Sequence, residues 1–465
     1  MKMKDRVRLQ SGMHIHFIGI GGIGMSAIAY VLKAWGHTVT GSDIHESSVV
    51  DHLRSFGISV FPQHASENVA NADLVVISSA IRKDNPEMLA AEHINIPICH
   101  RAQILGEIVN PRNGIVVTGT HGKTTVTAMI SLLLHKSNLD PTCLIGGVLE
   151  EFGSNALVGK SEWVVAEGDE SDGSFRYLHP KFAIVNNIEP DHLDYFKNVK
   201  QIQKSFLEFL EGADPRGEIW ISADCKNAGT VASKLCRPIH TYGESTEAEL
   251  RFTDYERDSS FTHARVWLGP ELLGSLSLAI PGHFNVHNAL AAVAAGRYAG
   301  LSFENIAKIL KQYRGTQRRL QMKGKSKGIT VIDDYAHHPT EIRVTLNALR
   351  EKFHGRSVGV FQPHRYSRTK HLKDEFSRSF EDLDVLVLTD VYSAGESPLE
   401  GVDGEMLFRA IRRNHRDVVY VPRLEEIPEY LTDVLRDGDV LITLGAGNVW
   451  QVGEQLLDRL SGQQE

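Results

Sequence analysis

Residues 115–125 read Ile-Val-Val-Thr-Gly-Thr-His-Gly-Lys-Thr-Thr, a β-branched apolar run that breaks into two glycines, a lysine and two threonines. The run predicts a strand and the apolar stretch beyond Thr125 a helix, so the glycines occupy the turn where strand becomes helix. That turn suits a triphosphate and points to ATP. Gly119 and Gly122 let the backbone N–H groups of Thr120 and His121 close around phosphate oxygens, and the helix start directs its positive end at the anion. Lys123 can reach the β and γ phosphates, while Thr124 can offer its hydroxyl to Mg2+ and Thr125 opens the helix. The commonest phosphate loop, G-x-x-x-x-G-K-[ST], would need glycine where this chain has Val117, so the loop is the shorter G-x-x-G-K-T. Such a unit predicts an α/β fold with mainly parallel sheet.

A second glycine turn lies upstream. Gly19-x-Gly21-Gly22-x-Gly24 falls between a predicted strand, 14–20, and a predicted helix, 25–35, and the next strand, 37–40, leads to Asp43. This is a βαβ unit with the spacing of a dinucleotide fingerprint. NAD and a nucleotide-sugar diphosphate compete as its ligand, and a separate ATP loop makes a pure dehydrogenase the poorer account. Residues 15–32 carry no Lys, Arg, Asp or Glu and could be mistaken for a membrane span, but four glycines between 19 and 24, His16 and Ser26 fit a soluble strand-turn-helix better.

With 465 residues, 42% of them apolar and 23% charged, the chain is long enough for roughly three domains at about 150 residues each. The net charge of −8 leaves no basic excess for nucleic acid. Four cysteines, none in C-x-x-C spacing, fit a reducing cytoplasm rather than a disulfide framework. Further strands are predicted at 59–61, 74–77, 96–98, 163–165, 182–185, 329–332, 357–361, 385–388 and 440–444, with an alanine-rich helix over 285–298 and a basic hinge over 314–327.

Four carboxylates crowd Glu167-Gly168-Asp169-Glu170-Ser171-Asp172, expected as a loop just after the 163–165 strand. They repel one another unless a cation is present, and Glu167 beside ATP suits Mg2+, which takes one or two carboxylates with phosphate oxygens and water. His192, after the 182–185 strand, is a further candidate ligand. His283 and His287 are four apart but lack the intervening glutamate of a zinc helix. Asn285 and Asn288, one helical turn apart, either contact a nucleotide or cap the helix start. Tyr335, His337, Arg365 and Arg368 each follow a predicted strand, and two arginines three apart can clamp a carboxylate bidentately.

The segments HFIGIGGIGMSAIA (16–29), GTHGKTT (119–125), AEGDESDGSF (166–175), NNIEPDHLDYF (186–196), NVHNALAA (285–292), DDYAHHPTEI (333–342), FQPHRYSRT (361–369) and DVYSAGE (390–396) together resemble the Mur ligase family, in its order and over nearly the whole chain. The resemblance implies three domains. Residues 1–111 would form a Rossmann-like unit for a UDP-sugar, 112–316 the ATP-binding ligase domain and 317–465 a C-terminal Rossmann-like unit for the amino acid. It implies ATP and Mg2+ as cofactors, UDP-N-acetylmuramate and L-alanine as substrates, no membrane insertion, and a monomer or weak homodimer in the cytoplasm. Another family member, joining a different amino acid or peptide to a carboxylate, is the alternative.

Carried onto this chain, the resemblance gives Lys123, Glu167, His192 and His337 catalytic roles, with His337 as the base that deprotonates the amine. Thr124, Glu167 and His192 would hold metal. Gly119 to Thr125, Asn285 and Asn288 would contact ATP; Gly19, Gly21, Gly22, Gly24, Asp43 and Ser79 the UDP-sugar; and Tyr335, His337, Arg365 and Arg368 the amino acid. Two departures stand out. Phe284 replaces a histidine common in the family, and the place of a carbamylated lysine found in some relatives falls at or near Phe206.

Overall fold

The computed structural model describes residues 8–192 and 195–462; Leu193 and Asp194, within the segment 186–196 quoted above, fall outside it. Three sheets organise the chain. The first is parallel, with spatial order Ser59–Phe61, Thr38–Ser42, His14–Ile18, Leu74–Ile77, Ile98–His100. His14–Ile18 is buried along most of its length because helices cover both faces, which is why it reads as a near-continuous apolar run.

The second sheet has ten strands. Its centre is parallel, running His240–Gly243, Glu218–Ser222, Phe182–Val185, Asn113–Thr118, Trp163–Glu167 and Thr142–Leu149. Both margins are antiparallel: Leu250–Arg257, Thr262–Leu268 and Glu271–Leu278 at one, Ser154–Leu157 at the other. These marginal strands were not expected. One face of each is solvated, so polar residues such as Arg251, Thr253 and Arg265 interrupt the apolar pattern that marks the central strands.

The third sheet runs Gln321–Ser326, Ile329–Asp334, Val440–Leu444, Ser357–Phe361, Val385–Leu388, Val418–Tyr420. Its first strand is antiparallel to the second and corrects the expected hinge, since the basic stretch 321–326 is an edge strand. Charged residues suit such an edge because they discourage pairing with another chain. The unusual backbone lies just before it, at Arg318 and Leu320, with φ of 61° and 45°.

One apolar core joins Phe17, Leu32 and Val76 of the first unit to Val116, Ala166, Val185 and Phe206 of the second. The third sheet has separate cores on its two faces, around Phe361 and Phe376 and around Val331 and Leu456. Among the described residues no helix is long and apolar enough to cross a membrane.

Candidate active site

Asn113–Thr118, flanked by Trp163–Glu167 and Phe182–Val185, brings three parallel strand ends to one edge of the second sheet. In parallel sheets this edge is where ligands collect. The glycine loop leaves the central strand here with Gly119 at φ 133° and Gly122 at φ 81°. A Cβ on Gly122 would stand 2.6 Å from Asn288 Oδ1 and 2.7 Å from Asn186 Nδ2, so both backbone and space demand glycine. Asn187 braces the loop from outside: the His121 N–H donates to its Oδ1 at 2.7 Å and its Nδ2 donates to the His121 carbonyl at 3.1 Å. Asn285 Nδ2 donates to the Pro281 carbonyl at 2.6 Å, and Asn288 Nδ2 to Asn285 Oδ1 at 3.3 Å. These bonds stay within the start of the helix His283–Tyr298, and the buried pair reaches the loop through Asn186, whose Nδ2 faces Asn288 Oδ1 at 3.5 Å and the His121 carbonyl at 3.3 Å.

Lys123 opens the helix Lys123–Lys136 and curls over the loop, its Nζ donating to the Gly119 carbonyl at 2.7 Å and to Glu170 Oε1 at 3.0 Å. Burial works against its charge, yet the fields of Glu170, Glu167 and Asp169 outweigh burial and hold the ammonium above its ordinary range. Thr124 Oγ1 donates to Glu167 Oε2 at 2.9 Å, and the same oxygen accepts the Gly146 N–H at 3.1 Å. Glu167 is the last strand residue rather than a loop residue, so its carboxylate is aimed by the sheet. Burial raises the Glu170 carboxyl. His192, at φ 52°, brings its Nε2 to 3.9 Å from Glu170 Oε1. Arg101 pairs with Asp169 at 2.5 Å and also lies against Gly24, so it stands between the acidic loop and the first glycine turn.

From the third sheet, Ile329–Asp334 delivers Tyr335, His337 and His338, and Ser357–Phe361 delivers Arg365 and Arg368. The guanidiniums of Arg318 and Arg319 lie 5.0 and 5.3 Å from the Tyr335 ring. Arg368 clamps a carboxylate, but that carboxylate is Asp191 of the second unit, reached by Nε at 3.2 Å and Nη2 at 3.1 Å. Burial raises the Asp191 carboxyl, and the Arg368 guanidinium together with His192, His338 and His337 more than reverses that, leaving it far below the usual carboxylate range. Arg365 and Arg368 share one small cavity with His192 and Asp191.

His337 Nδ1 meets the Tyr335 carbonyl at 2.9 Å. Burial, assisted by Arg368, pushes this imidazole down to about 3. A group so reluctant to hold a proton is a poor base toward an ammonium at neutral pH. That burial stands against the expected base role of His337.

In the first turn, the Gly21 N–H donates to Asp43 Oδ2 at 2.9 Å and the His45 N–H to Asp43 Oδ1 at 2.9 Å. Asp43 thus closes the turn from below. Gly22 precedes the helix Ile23–Ala34, and Ile81, from the turn that holds exposed Ser79, packs 3.1 Å from where a Cβ on Gly19 would be.

Comparison with known proteins decides the family. Residues 14–113 match the sequence profile described as Mur ligase family, catalytic domain; residues 117–296 the Mur ligase middle domain; and residues 318–447 the Mur ligase, glutamate ligase domain. The chain belongs to the Mur ligase family. It is 45% identical over 97% of its length to a UDP-N-acetylmuramate--L-alanine ligase of Pelotomaculum thermopropionicum, covering 98% of that protein, and 46% identical over 97% to one from a Geobacter species, also covering 98%. The crystal structure of the UDP-N-acetylmuramate-alanine ligase of Thermotoga maritima matches with a TM-score of 0.84 at 29% identity, over 97% of this chain and all (100%) of that one. A murein peptide ligase from Psychrobacter arcticus matches at 0.74 and 25% identity, over 97% of this chain and 99% of that one.

Mur ligases are ATP-dependent, which implies a divalent cation with the nucleotide. The donors here fit one. Thr124 and Glu167 supply hard oxygens, and two buried atoms nearby, Glu170 Oε2 and His192 Nδ1, have no hydrogen-bond partner. Phe206, at the place of the carbamylated lysine of some Mur ligases, is fully buried against Phe175, which leaves no modifiable amine there. Phe284 leans over Gly282, and His283 and His287 diverge to Glu244 and Asp224, so they form no zinc pair.

Arg101, Asp191 and Glu341 escaped the residue-by-residue reading. Arg101 had a usable signal, because it directly follows the strand Ile98–His100 at the ligand-bearing edge. Asp191 and Glu341 had none, since their partners come from another sheet.

Proposed function

We propose that the chain joins L-alanine to the lactyl carboxylate of UDP-N-acetylmuramate with cleavage of ATP to ADP and phosphate. What carries this reading is a phosphate loop whose Thr124 meets Glu167 and whose His121 meets Glu341 of the third unit, in a chain 45% identical over 97% of its length to an alanine-adding ligase. Residues 1–111 take the UDP-sugar, 112–316 take ATP, and 317–465 take the amino acid.

The γ-phosphoryl group passes to a lactyl carboxylate oxygen, breaking its bond to ADP and giving an acyl phosphate. The alanine amine attacks the acyl carbon, and the tetrahedral intermediate expels phosphate to leave the amide. Lys123 exchanges Glu170 and the loop carbonyls for β and γ phosphate oxygens and stabilises charge as the phosphoryl group moves, which is the main catalytic demand of such a transfer. Thr124 and Glu167, with His192 and Glu170 alongside, would hold Mg2+, which would supply charge neutralisation on the phosphates. Asn285 and Asn288 set the loop that meets ATP. Gly19, Gly21, Gly22 and Gly24 give the turn a surface without side chains on which the UDP pyrophosphate rests, with Asp43 fixing the turn through the Gly21 N–H and Ser79 at its rim. Arg365 takes the alanine carboxylate, with Tyr335 and His337 shaping the pocket and Arg368 holding Asp191. Four free cysteines, two of them buried, support a cytoplasmic setting.

The test is ADP release with Mg-ATP, UDP-N-acetylmuramate and L-alanine, leaving out each in turn and replacing alanine by glycine, serine or D-glutamate. Release that needs all three and is strongest with L-alanine is the expected result. The likeness to a murein peptide ligase makes a whole peptide the second acceptor to try. Release indifferent to the sugar nucleotide overturns the assignment.

A further inference from the structure

His121 lies inside the phosphate loop, two residues before Lys123, and its ring spans two carboxylates from different parts of the molecule. Nε2 faces Glu189 Oε2 at 3.4 Å, and Nδ1 faces Glu341 Oε1 at 3.1 Å, 220 positions along the chain. We infer that His121 is a positioning residue that transmits the seating of the third unit to the phosphate loop; this inference rests on the proposed ligase reaction.

Both ring nitrogens point at carboxylate oxygens, so both donate and the ring is an imidazolium. Consistently, although burial lowers its proton affinity, Glu189 and Glu341 more than reverse that and raise the imidazole to about 9. The backbone of His121 is the part of the loop that Asn187 braces, so ring and loop move together. At the far end, Glu341 Oε2 accepts the N–H groups of His337 at 3.1 Å and His338 at 3.3 Å, capping the helix Pro339–Lys352. One carboxylate therefore fixes the segment proposed to face alanine and the loop proposed to hold ATP. Glu189 completes the bracket: Thr340 Oγ1 donates to its Oε2 at 2.9 Å, and its own N–H donates to Thr120 Oγ1 at 2.8 Å. Arg319 at 4.0 Å and His337 Nδ1 at 3.4 Å also face Glu341, and the His338 ring lies 4.8 Å from that of His121.

A metal trio of His121, Glu189 and His338, whose donor atoms lie within 4.8 Å of one another, explains the cluster less well. His338 Nδ1 accepts the Thr340 N–H at 3.3 Å, which leaves the proton on Nε2 and no lone pair there for a cation.

Movement of the 339–352 helix away from the second unit removes the Glu341 partner of His121. Ordered chemistry follows from the link, because an acyl phosphate formed while the alanine segment is loose is exposed to water, whose oxygen attacks the acyl carbon, expels phosphate and regenerates the carboxylate.

The experiment compares wild type, His121→Gln, Glu341→Gln and the double variant. Hydrogen–deuterium exchange over 335–341 is read with and without a non-hydrolysable ATP analogue and Mg2+. Steady-state assays read ADP released per amide formed. The analogue should protect 335–341 in wild type and in neither single variant. The variants should form more ADP than amide and need about tenfold more alanine, the size of one lost charge-assisted hydrogen bond. The double variant should be no worse than either single one, as expected when both variants remove the same contact, and the excess of ADP over amide is the readout that a merely structural role would not move. Retained protection with one ADP per amide in both single variants overturns the coupling, as does absence of analogue-dependent protection in folded wild type. Protection in wild type without alanine-dependent ADP release supports the coupling and overturns the substrate assignment instead.

Discussion

The chain contains two strand-glycine-helix turns, Gly-Ile-Gly-Gly-Ile-Gly at 19–24 and Gly-Thr-His-Gly-Lys-Thr at 119–124, and they are held differently, although Asn155 of the second unit also reaches the Ile23 carbonyl of the first. The first is closed from beneath by Asp43, a residue of its own βαβ unit, which accepts the Gly21 N–H. The second is braced by residues far away in sequence: Asn186, Asn187, Asn288, and through His121 both Glu189 and Glu341. A turn that only binds can be completed locally. A turn whose occupant must react in step with another substrate is tied to the elements that carry that substrate.

The widest separation between the two turns should come from Lys123→Ala. Loss of the charge at the transferring phosphoryl group is expected to lower kcat by about 100-fold or more, read as ADP formed in a single turnover, while UDP-sugar affinity stays put. Wild-type turnover would remove the second turn from catalysis. Next, Gly122→Ala places a methyl against Asn288 and Asn186 at positive φ, and ATP binding measured by calorimetry should fall at least tenfold with a lower melting temperature. Gly21→Ala meets Asp43 Oδ2 at 2.9 Å and Val50 Cγ2 at 3.0 Å, and should raise the UDP-sugar requirement by about tenfold without moving that for ATP.

A smaller contrast lies in pH. His121 has a folded-state proton affinity raised to about 9 against an ordinary 6.5, so its contribution is complete below pH 6.5 and is lost as pH rises through 9. Stability and ATP affinity should therefore decline between pH 7 and 9.5 in wild type and much less in His121→Gln, and UDP-sugar affinity should be flat over that range. The smallest effect belongs to Asp43→Asn, which keeps an oxygen for the Gly21 N–H and loses the charge and the bond from the His45 N–H. A few-fold change in UDP-sugar affinity is expected, and a loss above 100-fold would mean that Asp43 contacts the ligand itself.

Both glycine turns could be read from the chain because each is a local device, a few residues whose spacing is the mechanism. Several central strands were likewise legible as apolar runs, with 182–185, 357–361 and 440–444 falling where expected, whereas Thr142–Leu149, Glu218–Ser222 and His240–Gly243 were missed. The half-solvated strands of 250–278 were not, since Arg251 and Arg265 dilute the pattern. Candidate ligand-facing residues were recognisable by type, but their partners were not. Arg368 advertised a carboxylate clamp, and only the fold shows it spent on Asp191. His337 was recognisable as an imidazole of the amino-acid segment, and its burial beside Arg368 was not.

The apolar seam shared by the first two sheets says where this chain can be divided. Asn155 of the second unit donates to the Ile23 carbonyl at 2.6 Å and to Ser26 Oγ at 3.0 Å, beside a continuous core running from Phe17 to Phe206. Severing the polypeptide near Arg112 would strip that seam open and leave two sticky halves. Severing it near Gln317 would part pieces that each keep a complete interior, so genetic dissection, fragment complementation and grafting of a foreign acceptor-binding module all belong at the second junction.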